Sequence, residues 1–369
     1  MDAQELAKLT TTVLWSAFFV SLLFGLIAQR THFCTMGAIS DVVNMGHWFR
    51  AKQWVLAVGV AMIGFSVLVD VGWLDPHRTL YASNRWLWLS GLMGGGLFGF
   101  GMVLASGCGS KTLVRIGTGN LKSLVVFVVM GVAAFATLKG ITAVLRVATV
   151  DQVFVAVPEP ATLGSLLATV FGGALVSGMG LALGCVCVLW VLLDREFRSW
   201  ANLLAGLGVG GCIVAMWCIS GYLGYVDEHP LTLDSGFVAT VSGRSEAMTF
   251  TAPMAYALDW VMFFSDKSKT LTLGVVSVCG VVVGAFVMAI FSKEFRWEGF
   301  AGTEDLGNHL VGAVLMGIGG VTAMGCTIGQ GLSGLSTLSL TSLTAVLGIV
   351  GGAVTAFRYQ MWRLEHTGL

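Results

Sequence analysis

Three cysteines stand where a long apolar run stops at small residues and then resumes: Cys34 in Arg-Thr-His-Phe-Cys-Thr-Met-Gly-Ala, Cys108 in Ala-Ser-Gly-Cys-Gly-Ser-Lys-Thr, and Cys326 in Ala-Met-Gly-Cys-Thr-Ile-Gly-Gln-Gly. A helix that breaks inside a bilayer releases N–H and C=O groups, which are tolerated there only when buried in protein or lining a cavity. Freed N–H groups and helix N-terminal dipoles can meet a small oxyanion that hydrocarbon would otherwise exclude. A protonated thiol adds a weak donor matched to a soft, polarisable sulfur, whereas a thiolate would repel the anion. Apolar surroundings favour the protonated form. The pattern therefore predicts a path for a small solute. Each thiol gives a transient hydrogen-bonded step, weak enough to release, with no covalent intermediate.

The elements that hold these thiols must lie in a membrane. Hydrophobic residues make up 56% of the 369-residue chain and charged residues 11%, far below the roughly 25% charged share of soluble domains. Mean hydropathy is +0.85. The formal charge is zero and the basic residues are scattered, so nothing points to a nucleic-acid partner. Met1 to Thr12 is polar, carries both charge signs and lacks signal-peptide features, so the first apolar stretch is expected to be retained. Eight cysteines are present, but they form no CxxC pair and no Cys/His set with zinc spacing. Neither a metal nor another cofactor is implied.

Runs long enough to span number about nine, with cores near 13–29, 53–74, 86–105, 122–145, 162–193, 202–225, 271–291, 308–325 and 338–357. Three shorter pieces, 33–44, 108–119 and 326–337, each hold one of the cysteines and read as re-entrant half-helices. The fold class is thus an all-α polytopic membrane protein. Two loosely similar halves are visible: Gly-Phe-Gly-Met-Val-Leu-Ala-Ser-Gly-Cys-Gly before the second break parallels Gly-Ile-Gly-Gly-Val-Thr-Ala-Met-Gly-Cys-Thr before the third. Broken segments at matching positions point to inverted repeats with a binding site between them. The expected division is residues 1–150 for the first repeat and 151–369 for the second, with an outer loop at about 226–270. Arg50, Lys52, Arg195, Arg198, Lys293, Arg296, Arg358 and Arg363 mark one face, which by the positive-inside rule makes the C-terminus cytoplasmic.

Most of the 50 glycines need only a packing explanation, since Gly91, Gly95 and Gly99, or Gly206 and Gly210, have the spacing that lets helices approach closely. Gly107, Gly109 and Gly325 differ because they flank the cysteines where irregular backbone is expected. Cys185, Cys187, Cys212, Cys218 and Cys279 lie on continuous apolar runs and read as small packing residues. Gln330 reads as a polar lining group and His32 is ambiguous. Arg30, Lys111 and Arg115 lie within a turn or two of the cysteines, where a cation either attracts the anion or snorkels to the interface.

Gly-Leu-Ile-Ala-Gln-Arg-Thr-His-Phe-Cys-Thr-Met-Gly-Ala resembles a motif of the YeeE/YedE sulfur-transport family. So do Gly-Met-Val-Leu-Ala-Ser-Gly-Cys-Gly with the following Val-Arg-Ile-Gly-Thr-Gly-Asn, and Gly-Gly-Val-Thr-Ala-Met-Gly-Cys-Thr-Ile-Gly-Gln-Gly-Leu-Ser-Gly-Leu-Ser-Thr. The likeness spans nearly the whole chain, and Lys-Glu-Phe-Arg-Trp fits it as well. It implies a bacterial inner-membrane protein, built from inverted repeats, that takes up thiosulfate through cysteine thiols. It also implies a possible TusA-like sulfur-carrier partner. Arg30 and Arg115 match the family motif, which favours a path role for both, whereas Lys111 departs from the small residue expected there. Sulfide, sulfite, polysulfide or a selenium compound would use similar soft contacts. Two other readings stay open: a membrane thiol enzyme, which would need a resolving or activated cysteine, and a carrier-docking protein without transport.

Overall fold

In the computed structural model, which describes residues 3–157, 160–171, 178–228, 234–266 and 268–367, seven helical stretches are long and apolar enough to cross a membrane. They coincide with seven of the nine expected cores. Helix α1 (Ala3–Thr31) passes through a short turn into α2 (Thr35–Ser40), which continues as a π-helical turn to Met45. After it come α3 (Phe49–Asp70), α4 (Trp88–Leu104), α5 (Gly109–Gly117) and α6 (Leu121–Lys139). The expected span at 122–145 ends early, because Gly140 adopts extended backbone and α7 (Ile141–Ala148) starts anew.

The core expected at 162–193 falls partly on residues 172–177, outside the described residues. On either side lie α8 (Leu163–Phe171) and α9 (Met179–Leu192). A run of α10 (Trp200–Leu203), a π turn, α11 (Val209–Cys218) and a second π turn covers the next span. Helices α12 (Thr251–Met262), α13 (Leu273–Phe291), α14 (Thr303–Thr322) and α15 (Leu340–Thr367) complete the set. The core expected at 308–325 belongs to α14, whose polar first turns with Glu304, Asp305, Asn308 and His309 make it less apolar than the seven spans, although Ala313 and Met316 are fully buried. Among the described residues the β structure is two short ladders, β1 (Arg85–Trp86) on β2 (Val155–Ala156) and β3 (Tyr225–Val226) on β4 (Gly236–Phe237).

Part of the segment read as an outer loop is core. Met248, Phe250, Met254 and Ala255 are fully buried, and α12 packs against α6 and α13. Its apolar stretch is too short to cross a bilayer, so length alone hides it. Pro253 sits in the first turn, where proline does not disturb the helix.

Helix α4 is held between α14 and α15 by glycine contacts. A Cβ on Gly94 or Gly101 would lie 2.8 Å from the Gly319 carbonyl oxygen or 2.6 Å from that of Gly312, across an antiparallel α14. On the other side a Cβ on Gly95 would lie 2.3 Å from the Ala345 oxygen, and one on Gly99 only 2.1 Å from that of Ile349. The packing role expected for Gly91, Gly95 and Gly99 is what the helices use them for. Gly99→Leu is expected to cost about 3 kcal/mol through overpacking, read as a lowered thermal midpoint of the solubilised protein. Gly351→Leu, where a Cβ meets nothing within 4 Å, is expected to leave that midpoint unchanged.

Candidate functional site

One local design repeats three times. His32, Ser106 and Met324 each lie two residues before a cysteine, and their φ angles are +52°, +55° and +59°. The left-handed region costs a non-glycine residue about 1–2 kcal/mol, so the surrounding bundle must impose it. The turn then closes the preceding helix. Phe33 N–H donates to the Ala28 carbonyl at 3.2 Å, Gly107 N–H to Met102 at 2.8 Å and Gly325 N–H to Gly320 at 2.7 Å, the six-residue bond of a Schellman stop. Gly107 and Gly325 thus have a placed role, and Gly109 opens α5.

Each cysteine starts the helix that follows. The carbonyls of Cys34, Cys108 and Cys326 accept the first helical bonds, from Ala38, Thr112 and Gln330. Two thiols also act as caps: Cys34 Sγ accepts from Gly37 N–H at 3.4 Å and Cys326 Sγ from Gly329 N–H at 3.5 Å. Cys108 Sγ instead lies 3.3 Å from Ser110 Oγ. All three cysteines are buried, Cys108 and Cys326 completely.

The structure brings them together although 292 positions separate the outer two, from 34 to 326. Cys34 and Cys108 are neighbours in the cluster, within electrostatic reach of each other. The Thr327 hydroxyl faces Cys108 from the neighbouring half-helix, and Thr249 Oγ1 reaches within 4.0 Å of Cys326 Sγ. Neither threonine is signalled by the sequence, since Thr249 precedes the cysteine it meets by 77 residues.

Two cavities flank the cluster. One, of about 540 Å³, is bounded by Gln29, His32, Lys111, Arg115, Lys293 and Arg296. The other, of about 320 Å³, is bounded by Arg146, Glu246, Thr249, Tyr256, Met324 and Gly325. They lie at opposite ends of the bundle. Asn120, at the start of α6, borders the first and Leu138, near its end, borders the second. Eighteen residues of helix between them rise about 27 Å. Helix α13 shows the same split, with Gly274 at one cavity and Lys293 past its other end. The basic cavity shares its end with the ion pairs Lys122–Asp305 and Arg363–Glu304. In the opposite cavity Ser242 donates to Glu246 from both its N–H and its hydroxyl, and burial pushes the Glu246 carboxyl up.

The remaining expected residues divide. Arg115 borders the basic cavity, and its Nη1 donates to the Ser106 carbonyl at 2.6 Å, bracing the strained turn. Arg30 is exposed at the end of α1 and is not among the cavity's lining residues. Gln330 is buried, with Nε2 donating to the Ala323 carbonyl and Oε1 accepting from Ser342. Cys185 and Cys279 are exposed on apolar helix faces, Cys187 and Cys218 are half-buried, and Cys212 is buried in the core.

Comparison with known proteins gives a concordant pattern. Residues 30–355 match a family described as sulphur transport. A thiosulfate transporter, TsuA, of Escherichia coli K12 is 27% identical over 332 residues, covering 87% of this chain and 87% of that protein. A thiosulfate transporter of the same name from Spirochaeta thermophila is 26% identical over 341 residues, covering 87% and 91%. A shorter stretch of 98 residues, 27% of this chain and 23% of the relative, is 32% identical to the probable transporter YedE of Escherichia coli K12.

Proposed function

Because this chain belongs to the sulphur transport family, we propose that it takes up thiosulfate, or a closely related inorganic sulfur anion, through its buried thiols and without covalent chemistry. The observation that carries the reading is the convergence of three identically built turns on one thiol cluster between two cavities. The anion enters at the Glu246 end, passes Cys326, Cys108 and then Cys34, and leaves through the basic cavity. At each station a helix N-terminus offers N–H groups that have no partner within the helix. The thiol beside it donates to the terminal sulfur. Several weak stations in series permit release, where one deep site would trap the ion. The positive-inside rule sets the basic end, and with it the C-terminus, in the cytoplasm. On this reading the protein works in a bacterial inner membrane, with a TusA-like sulfur carrier as a receiver on the basic side.

Cells that lack their own sulfate and thiosulfate importers provide the test. Expression of the chain is expected to confer uptake of sulfur-labelled thiosulfate, suppressed by excess unlabelled thiosulfate. Well-expressed protein that confers no uptake would remove thiosulfate as the substrate.

A second reading gains from one contact. Sulfur transfer by a thiol enzyme needs a resolving cysteine, and the proximity of Cys34 to Cys108 supplies a candidate that the sequence does not reveal. Cys108→Ser separates the two readings.

A further inference from the structure

Lysine 111 is the buried-side cation of the basic cavity. It stands three residues after Cys108 on α5. Its stem packs against the turn that sets Cys108, since a Cβ on Gly107 would lie 3.4 Å from Lys111 Cγ. Its ammonium is within electrostatic reach of both Cys34 and Cys108.

The neighbouring charges are already engaged. Arg115 is held by the Ser106 carbonyl, and Arg296 by Glu298 at 2.5 Å. Of the two carboxylates in the cavity, Glu298 also accepts from Asn120 at 2.6 Å and Glu294 accepts from Gln29 at 2.8 Å. Lys293 is exposed. Among the described residues, no acceptor lies within hydrogen-bond distance of the Lys111 ammonium, and no carboxylate forms an ion pair with it. A half-buried ammonium left in this state is costly unless something anionic visits it.

We infer that Lys111 is the charge-selecting residue of the path, holding a doubly charged anion between the Cys34–Cys108 pair and the basic cavity. The inference rests on the transport reading above and adds a basis for selection. Thiols alone favour soft sulfur of any charge, so hydrosulfide, with a single charge, would satisfy them as well as thiosulfate does. A fixed ammonium beside them discriminates in favour of the dianion. Lysine also presents a compact point charge on a flexible stem, able to follow the ion from thiol to cavity.

Initial uptake rates of labelled thiosulfate and of hydrosulfide, measured for the intact chain, Lys111→Met and Lys111→Arg at matched membrane abundance, test it. Lys111→Met is expected to raise the KM for thiosulfate by about tenfold or more and to change hydrosulfide uptake less than about twofold. Lys111→Arg is expected to recover most of the thiosulfate affinity, because it retains the charge. Arg195→Gln, which removes an exposed cation outside the cavity, serves as the control for surface charge. Equal loss for both substrates in Lys111→Met, or an unchanged KM for thiosulfate, overturns the inference. Failure of the intact chain to carry thiosulfate removes thiosulfate as the substrate of the transport reading, and the two failures are thereby distinguished.

Discussion

Cys108→Ala is expected to lower the initial rate of thiosulfate uptake between about tenfold and 100-fold at matched membrane abundance. The magnitude follows from losing one donor to a desolvated anion, about 1.5–3 kcal/mol for a hydrogen bond to a charged group. Cys108 is singled out because it stands between the other two: it neighbours Cys34 and is faced by Thr327, the residue after Cys326. Cys108→Ser is the informative partner. A hydroxyl donates at least as well as a thiol, so a hydrogen-bonded path retains uptake within about tenfold of the intact chain. A path that forms a sulfur–sulfur bond at this position loses activity as completely with serine as with alanine, since an alkoxide is not available there as a nucleophile. Cys212→Ala, in the core and away from the cluster, is expected to leave uptake unchanged. A serine variant as inactive as the alanine variant would sink the non-covalent mechanism, and normal uptake by Cys108→Ala would take Cys108 out of the path.

The reach of the sequence stops where local pattern stops. A break flanked by glycines is a local event, so all three half-helices and their cysteines are readable from composition around Cys34, Cys108 and Cys326. Glycine spacing is local too, which is why the packing face of α4 is visible before its partners α14 and α15 are known. Pairing across the bundle is not local. That Cys34 meets Cys108, or Thr249 meets Cys326, depends on how half-helices cross, and no periodicity encodes it. Hydropathy windows also mislead at both extremes. Helix α14 buries Ala313 and Met316 yet carries Glu304 and Asp305 at its start, while α12 enters the core on a stretch too short to cross a bilayer. Of the left-handed residues, His32 is of a type enriched in that region, Ser106 gives no propensity signal and Met324 argues against such a turn, because the strain is imposed by packing rather than chosen by the residue. Gln330 was legible as polar in an apolar setting, but its partners were not.

Those partners make Gln330 the second site where a single change has a large expected effect. Its amide spans two elements, donating to the Ala323 carbonyl at the end of α14 and accepting from Ser342 in the first turn of α15. The half-helix that begins at Cys326 is pinned at that point to both neighbours. Space there is tight: a Cβ on Gly325 would lie 3.2 Å from Gln330 Cγ, and one on Gly334 would lie 2.9 Å from its Oε1. Gln330→Leu preserves volume but leaves a buried carbonyl and a buried hydroxyl without partners, a cost of about 2–4 kcal/mol. The thermal midpoint is expected to fall clearly. Uptake per folded molecule is expected to fall with it, since Cys326 loses the anchor that aims its thiol at the cluster. Ser342→Ala, which removes one bond and leaves the amide's donor engaged, is expected to cost about 1 kcal/mol. A lining residue would behave differently: contact with the anion predicts a raised KM with the midpoint unchanged. Unaltered stability in Gln330→Leu together with a higher KM would therefore return Gln330 to the path and remove it from the frame.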